Sequence, residues 1–179
     1  MAYTTDRTWV PGEVATAAYF NTYLRDNVKW LSTDKPMCRA SHSTVNTTTT
    51  GVAFTMLFNT NVFDNASLHS TSSNTNRITV PSGGGGKYFI TTNLTWAVST
   101  VGDYRVAAIR LNGGGNIAYE SKTPGGTNGF AAHSLSTFWG TMIATNYVDV
   151  LVQQNSGGNL DVAATGNQSP NFSAFWVGI

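Results

Sequence analysis

Charge is what this chain of 179 residues has least of: Asp, Glu, Lys and Arg make up only 11% of it, and the net charge is +1. A surface so sparsely and evenly charged does not steer toward nucleic acid or an anionic membrane, and neither is expected as a partner. Cysteine is nearly absent as well. Cys38 stands alone, which excludes an internal disulfide framework, and it has no metal-ligand spacing with His42, His69 or His133; it reads as a buried thiol. No apolar run approaches the roughly 20 residues of a membrane helix, and residues 1–14 lack the basic and apolar regions of a secretory signal.

Signs of catalysis are equally thin. The three histidines sit in separate Ser- or Ala-flanked contexts and form no triad with Ser and Asp at a nucleophile turn. Nine acids are scattered along the chain; only Asp149 and Asp161 fall on what read as successive strands, a weak basis for a glycoside-cleaving pair. The tetraglycine Gly83 to Gly86 before Lys87 invites comparison with a phosphate loop. Tyr88, however, stands where Ser or Thr would hold magnesium, and a strand rather than a helix follows. No enzyme activity, cofactor or metal is expected.

Thr, Ser, Asn and Gly occupy the places that charge leaves, while 41% hydrophobic and 12% aromatic residues are ample for a packed β core. The length suits one domain with an appendage. That appendage is the one stretch with helical periodicity. Pro11 and Gly12 make a turn, Thr16 can cap a helix beginning at Ala17, and Ala17, Phe20, Leu24, Val28 and Leu31 then recur at steps of three and four. Tyr19, Tyr23 and Trp30 widen this stripe, and Arg25, Asp26 and Lys29 are expected on the other side. A helix of about four turns is marginal alone in water, so its face must pack on the domain, on copies of itself or on a larger assembly. Ahead of it, an extended arm with two aromatic hooks, Tyr3 and Trp9, is expected.

Pro36 ends the helix and sets a boundary: residues 1–36 form the arm and docking helix, and residues 37–179 a β domain. Strands of period two follow around Met37 to Ser43, Val52 to Phe58, Ile78 to Val80, Tyr88 to Trp96, Tyr104 to Leu111, Ile117 to Tyr119, Leu135 to Met142, Tyr147 to Gln153, Leu160 to Ala164 and Phe172 to Ile179. Phe63 is expected to point inward from a turn. Asn112 to Gly115 reads as a hairpin turn, and the last strand is apolar enough to be central rather than an edge. Eight to ten short strands broken by Gly-rich turns describe a mainly β chain, an antiparallel sandwich of jelly-roll kind with one N-terminal helix.

Particular residues add a resemblance. Phe58, Asn59, Phe63 and Asp64, then Ile78 to Pro81, the glycine loop and Lys87 to Ile90, with the hairpin Arg105 to Gly113, resemble the complement-globular-head and tumour-necrosis-factor-like jelly roll. Tyr147 to Asn155 and Asn171 to Gly178 look like its penultimate and closing strands. The resemblance covers roughly residues 37–179 and implies a homotrimer, whose threefold interface is usually built from aromatic and aliphatic residues on one sheet. Trp9, Pro11, Gly12 and Glu13, with Thr16, Ala17 and Asn21 to Asp26, look like a segment common in virion structural proteins of tailed bacteriophages.

Together these imply a non-enzymatic virion protein, made in the host cytoplasm and carried on the particle surface. Its partners would be itself and capsid or tail proteins. Trp9, Phe20, Tyr23, Leu24, Val28, Trp30 and Leu31 are the expected docking residues. Trimeric capsid decoration (cement) is the leading role. The alternative is a tail-tip or tail-fibre module gripping host surface glycan, for which Trp96, Tyr104, Tyr119 and Trp139 are candidate stacking platforms.

Overall fold

The computed structural model describes residues 4, 5 and 7–179; Tyr3, the second hook expected in the arm, lies outside them. A helical run, α1, spans residues 17–34. It opens where the Thr16 hydroxyl accepts the Tyr19 amide, and it alternates α turns (Ala17–Tyr19, Asp26–Lys29) with π turns (Phe20–Arg25, Trp30–Asp34). Lys35, ahead of Pro36, takes ψ 132° and leads the chain out of the helix, as a residue before proline must. No helix among the described residues is long and apolar enough to cross a membrane.

Twelve strands follow: β1 Met37–Ser41, β2 Asn46–Thr48, β3 Phe54–Thr55, β4 Thr60–Asp64, β5 Arg77–Thr79, β6 Gly86–Thr95, β7 Arg105–Leu111, β8 Asn116–Lys122, β9 Ala132–Met142, β10 Tyr147–Gln154, β11 Leu160–Val162 and β12 Asn171–Gly178. They form two antiparallel sheets, β4-β1-β12-β6-β9 and β10-β7-β8 with β3 and β5 both along the free side of β10, and a small β11-β2 ribbon. This is a mainly β sandwich with one N-terminal helix. The terminal strand β12 is central, flanked by β1 and β6, and β7 and β8 form the hairpin expected at Asn112, whose φ of 52° is followed by Gly113 at 67°, both central residues with positive φ.

The core lies between the sheets. Cys38, Met56, Phe58, Ile90, Ile109, Val150, Val152 and Phe172 are wholly buried, and the Phe58 and Phe172 rings stack with centroids 5.5 Å apart. Burial, with some help from Asp64, pushes the Cys38 thiol up to about 12, so it stays protonated and behaves as a small apolar group. Phe63 departs from expectation: it is 40% exposed, on the outside of the first sheet beside Phe175.

The tetraglycine segment is a seat for indole rather than a phosphate cradle. Trp176 Nε1 donates to Gly85 O at 3.0 Å and the Tyr88 hydroxyl donates to Gly84 O at 2.6 Å. A Cβ on Gly84 would press on Pro81 and Pro36, and one on Gly86 would overlap Trp176 and the Gly178 carbonyl at a φ of +143°. Gly86→Ala is therefore expected to cost about 2–4 kcal/mol through clash and backbone strain together. Gly140→Ala, where a Cβ meets nothing within 4 Å, should be near neutral. Paired denaturant titrations check the contrast, and equal midpoints would remove the seat argument.

Candidate functional site

The arm does not trail away from α1; it folds back along it. Thr4 pairs with Asn27 through both backbone groups, the Thr4 amide donating to Asn27 Oδ1 at 3.0 Å and Asn27 Nδ2 donating to Thr4 O at 2.9 Å. Asn27 is only 6% exposed, and these bonds satisfy a buried amide that would otherwise be costly inside a helix. Next along the arm, the Arg7 guanidinium lies 3.9 Å over the Tyr19 ring and within 5.5 Å of Trp9 and Tyr23, and it is salt-bridged to Glu13. Cation–π contacts of this kind contribute more when the cation is partly desolvated. Trp9 in turn packs on Tyr19 and Phe20.

This closure divides the residues expected to dock. Tyr23 is half-buried under the arm. Trp30 is 2% exposed and meets Trp176 at right angles, 4.5 Å between centroids, so it joins the helix to the sandwich and is not available to a partner. Trp9, Phe20, Leu24, Val28 and Leu31 are 44–58% exposed. Phe20, Leu24 and Val28 line an open apolar trough, but with Arg25 and Lys29 on its edge rather than behind it. A four-residue step overshoots an α turn, while the i→i+5 bond of Asp26 N to Asn21 O encloses more residues per turn, so alternating the two holds positions 20, 24 and 28 in one row.

The stacking candidates are not brought together. Trp96 is 1% exposed and belongs to the core, Trp139 is half-buried against it, Tyr104 is half-buried in the loop before β7, and Tyr119 is 59% exposed on β8, the edge strand of the other sheet. Asp149 and Asp161 also part company. The first accepts both Nε and Nη2 of Arg110 at 2.7 and 2.9 Å, and the second, in the β11-β2 ribbon, accepts from Thr47. Neither is poised for acid–base chemistry with the other.

A second apolar surface emerges on the outer face of the first sheet. Pairing aligns Met37, Phe175, Phe89 and Phe138 in one row across β1, β12, β6 and β9. Phe138 is 71% exposed, Phe89 packs on it at 4.8 Å, and Phe63 joins Phe175 at 6.1 Å. The clue lay in β6 and β12, where Phe89, and Phe175 with Val177, stand as apolar residues in the otherwise polar alternating sets Lys87, Thr91, Asn93, Thr95 and Asn171, Ser173. Arg7 and Asn27 gave a weaker clue, being polar residues set among aromatics.

Each histidine is buried in its own place. His69 bonds to Asn61 and the Thr75 carbonyl, His42 to Thr44, and His133 Nδ1–H donates to Glu120 at 2.9 Å while its Nε2 has no hydrogen-bond partner among the described residues. Burial lowers all three, against partial opposition from Asp64 at His69 and from Glu120 at His133. Burial also resists ionisation of Glu120, but the hydrogen bonds from Lys122 and His133 outweigh it and lower its pKa.

No protein-family model and no curated protein sequence matches the chain.

Two predictions follow from this geometry. Trp30→Ala should destabilise the protein by about 3–5 kcal/mol, and Leu24→Ala by no more than about 0.5 kcal/mol; calorimetry of both variants separates the joint from the free row. The histidines' contribution to stability should also be full above about pH 6.5, the unfolded histidine value. It should fall below that as the unfolded chain takes up protons that the buried rings resist, with Glu120 adding a further loss below the ordinary carboxylate range. Denaturation midpoints at pH 7, 6 and 5 check this, and a flat series would show that the three rings protonate as readily inside as out.

Proposed function

We propose that the chain is a non-enzymatic structural protein of a bacteriophage virion, a trimeric capsid decoration protein. It docks through its arm and helix and displays the sandwich outward. One observation carries the reading: this small chain leaves two separate apolar surfaces uncovered, the row at Phe20, Leu24, Val28 and Leu31 and the aromatic row at Phe89, Phe138 and Phe175. Contiguous exposed apolar surface of this kind marks an interaction site. Two such surfaces supply two contacts, one for copies of the chain and one for the particle.

The aromatic row suits self-association because it lies on one face of a single sheet, where three copies can close around an axis. Three helices then leave the trimer together, and three modest contacts to a repetitive shell give an avidity that one does not. The mechanism is clamping and mechanical reinforcement, with no covalent chemistry.

Three experiments test it. Phe138→Glu, at an exposed position that should tolerate it for folding, should convert a sedimenting trimer to monomer; an unchanged sedimentation coefficient would remove the aromatic row from the interface. Phe20→Ala with Leu24→Ala should leave the trimer intact and abolish incorporation into particles. Immunogold labelling of intact particles separates the two locations: label over the head is expected, and label confined to the tail end would replace decoration with host attachment.

A further inference from the structure

The two sheets of the sandwich meet along one unsealed edge. β8 ends its sheet and β9 ends the other. Ala118 to Glu120 and Ser134 to Ser136 line the two sides of one groove, yet no backbone hydrogen bond joins these strands among the described residues. Side chains tie them instead. Lys122 Nζ donates to Ala132 O at 2.7 Å and His133 Nδ1–H donates to Glu120 Oε2 at 2.9 Å, while Lys122 also lies 3.1 Å from Glu120 Oε1 on its own strand.

His133 is the member of this tie that reaches inside. Its side chain is 0% exposed against 33% for Glu120, and it lies opposite Leu94 of the core. A proton on Nε2 would add a buried charge and a donor with no acceptor to meet it among the described residues. The charged groups nearby offer little help. From β8, Glu120 and Lys122 face the ring. β7 contributes Arg105, itself buried and donating to the carbonyls of Ser99, Val101 and Tyr104. β6 has only Lys87, at its far end, β9 has no other charged residue, and Asp161 of β11 accepts from Thr47. Glu120 alone favours the imidazolium, and burial outweighs it.

We infer that the seam between β8 and β9 is an acid-opened latch: protonation of His133 parts the two edge strands locally, ahead of unfolding of the sandwich, and bares Leu135 and the free backbone edges of both strands. A ring turned out into water takes its proton at about pH 6.5, so acid favours the open form. Opening stays local because parting these strands breaks no backbone ladder, whereas β12 is paired on both sides. The latch does not depend on what α1 meets.

Hydrogen exchange of the full chain at pH 7 and pH 5, corrected for intrinsic rates, tests it. Amides of β8 and of residues 132–136 in β9 should gain about tenfold over those of β12 at pH 5. His133→Gln, which keeps a donor for Glu120 and cannot titrate, should remove that gain. Lys122→Met, which removes the other tie, should speed the seam already at pH 7. In NMR of the wild-type protein the His133 ring should still be neutral at pH 6, and the gain should level off where the ring at last titrates. Equal acceleration of all strands, a gain that survives in His133→Gln, or a seam unmoved by Lys122→Met would overturn the latch. So would a ring already half charged at pH 6.5, a result that needs no variant to fold.

Discussion

Trp30 set at right angles to Trp176, with ring centroids 4.5 Å apart, is the contact on which the relation between helix and sandwich depends. Trp176 belongs to β12, the central strand of its sheet, and its indole is fixed by the Gly85 carbonyl. The Trp176 amide also donates to Pro36 O, and Asn65 ties the Thr33 carbonyl to the Met37 amide. A large aromatic ring buried at a joint contributes both area and orientation. The glycines that make room for it are therefore part of the same device: a side chain at Gly86 would displace the ring that anchors the helix.

Above that joint the helix behaves as a rigid spur. Its first half is clamped by the arm, with Arg7 among three rings and Thr4 bonded to Asn27 on both sides. An arm held in this way has little conformational freedom left to lose in any contact the helix makes. The closed arm also narrows the face a partner can reach, because Tyr19 and Tyr23 serve Arg7 while the row from Phe20 to Leu31 stays open.

Much of this was legible in the sequence, and the parts that were not share a physical cause. Period-two alternation marked nearly every long strand, the apolar closing segment marked a central strand, and Thr16 marked the start of the helix; all of these are local signals. Trp96 and Trp30 were misplaced among ligand and docking residues because an aromatic ring reads the same whether it faces the core or a partner. Only the pairing of distant segments decides which. Arg25 and Lys29 reach the trough for a local reason: each directly follows a residue of the apolar row, Leu24 or Val28, so their long side chains flank the same groove. The aromatic row needed four strands in register before Met37, Phe175, Phe89 and Phe138 became neighbours.

Low charge ties these features together. With few ions to keep surfaces apart, a chain of this composition relies on hydroxyls and amides for solubility, and its sheet faces show the division. The row beginning at Met37 is apolar, the next carries Arg39, Ser173, Thr91 and Ser136 with one aromatic, Phe63, at its β4 end, and the one after it Ser41, Asn171, Asn93 and Ser134. The apolar side chains of this face lie toward the end where β1 leaves the helix, and the opposite end presents hydroxyls and amides. A sheet that was apolar throughout would invite open-ended association. Gathering most of the sheet's exposed aromatic residues at one end, and the exposed apolar helix residues in a row of their own, keeps each apolar surface bounded.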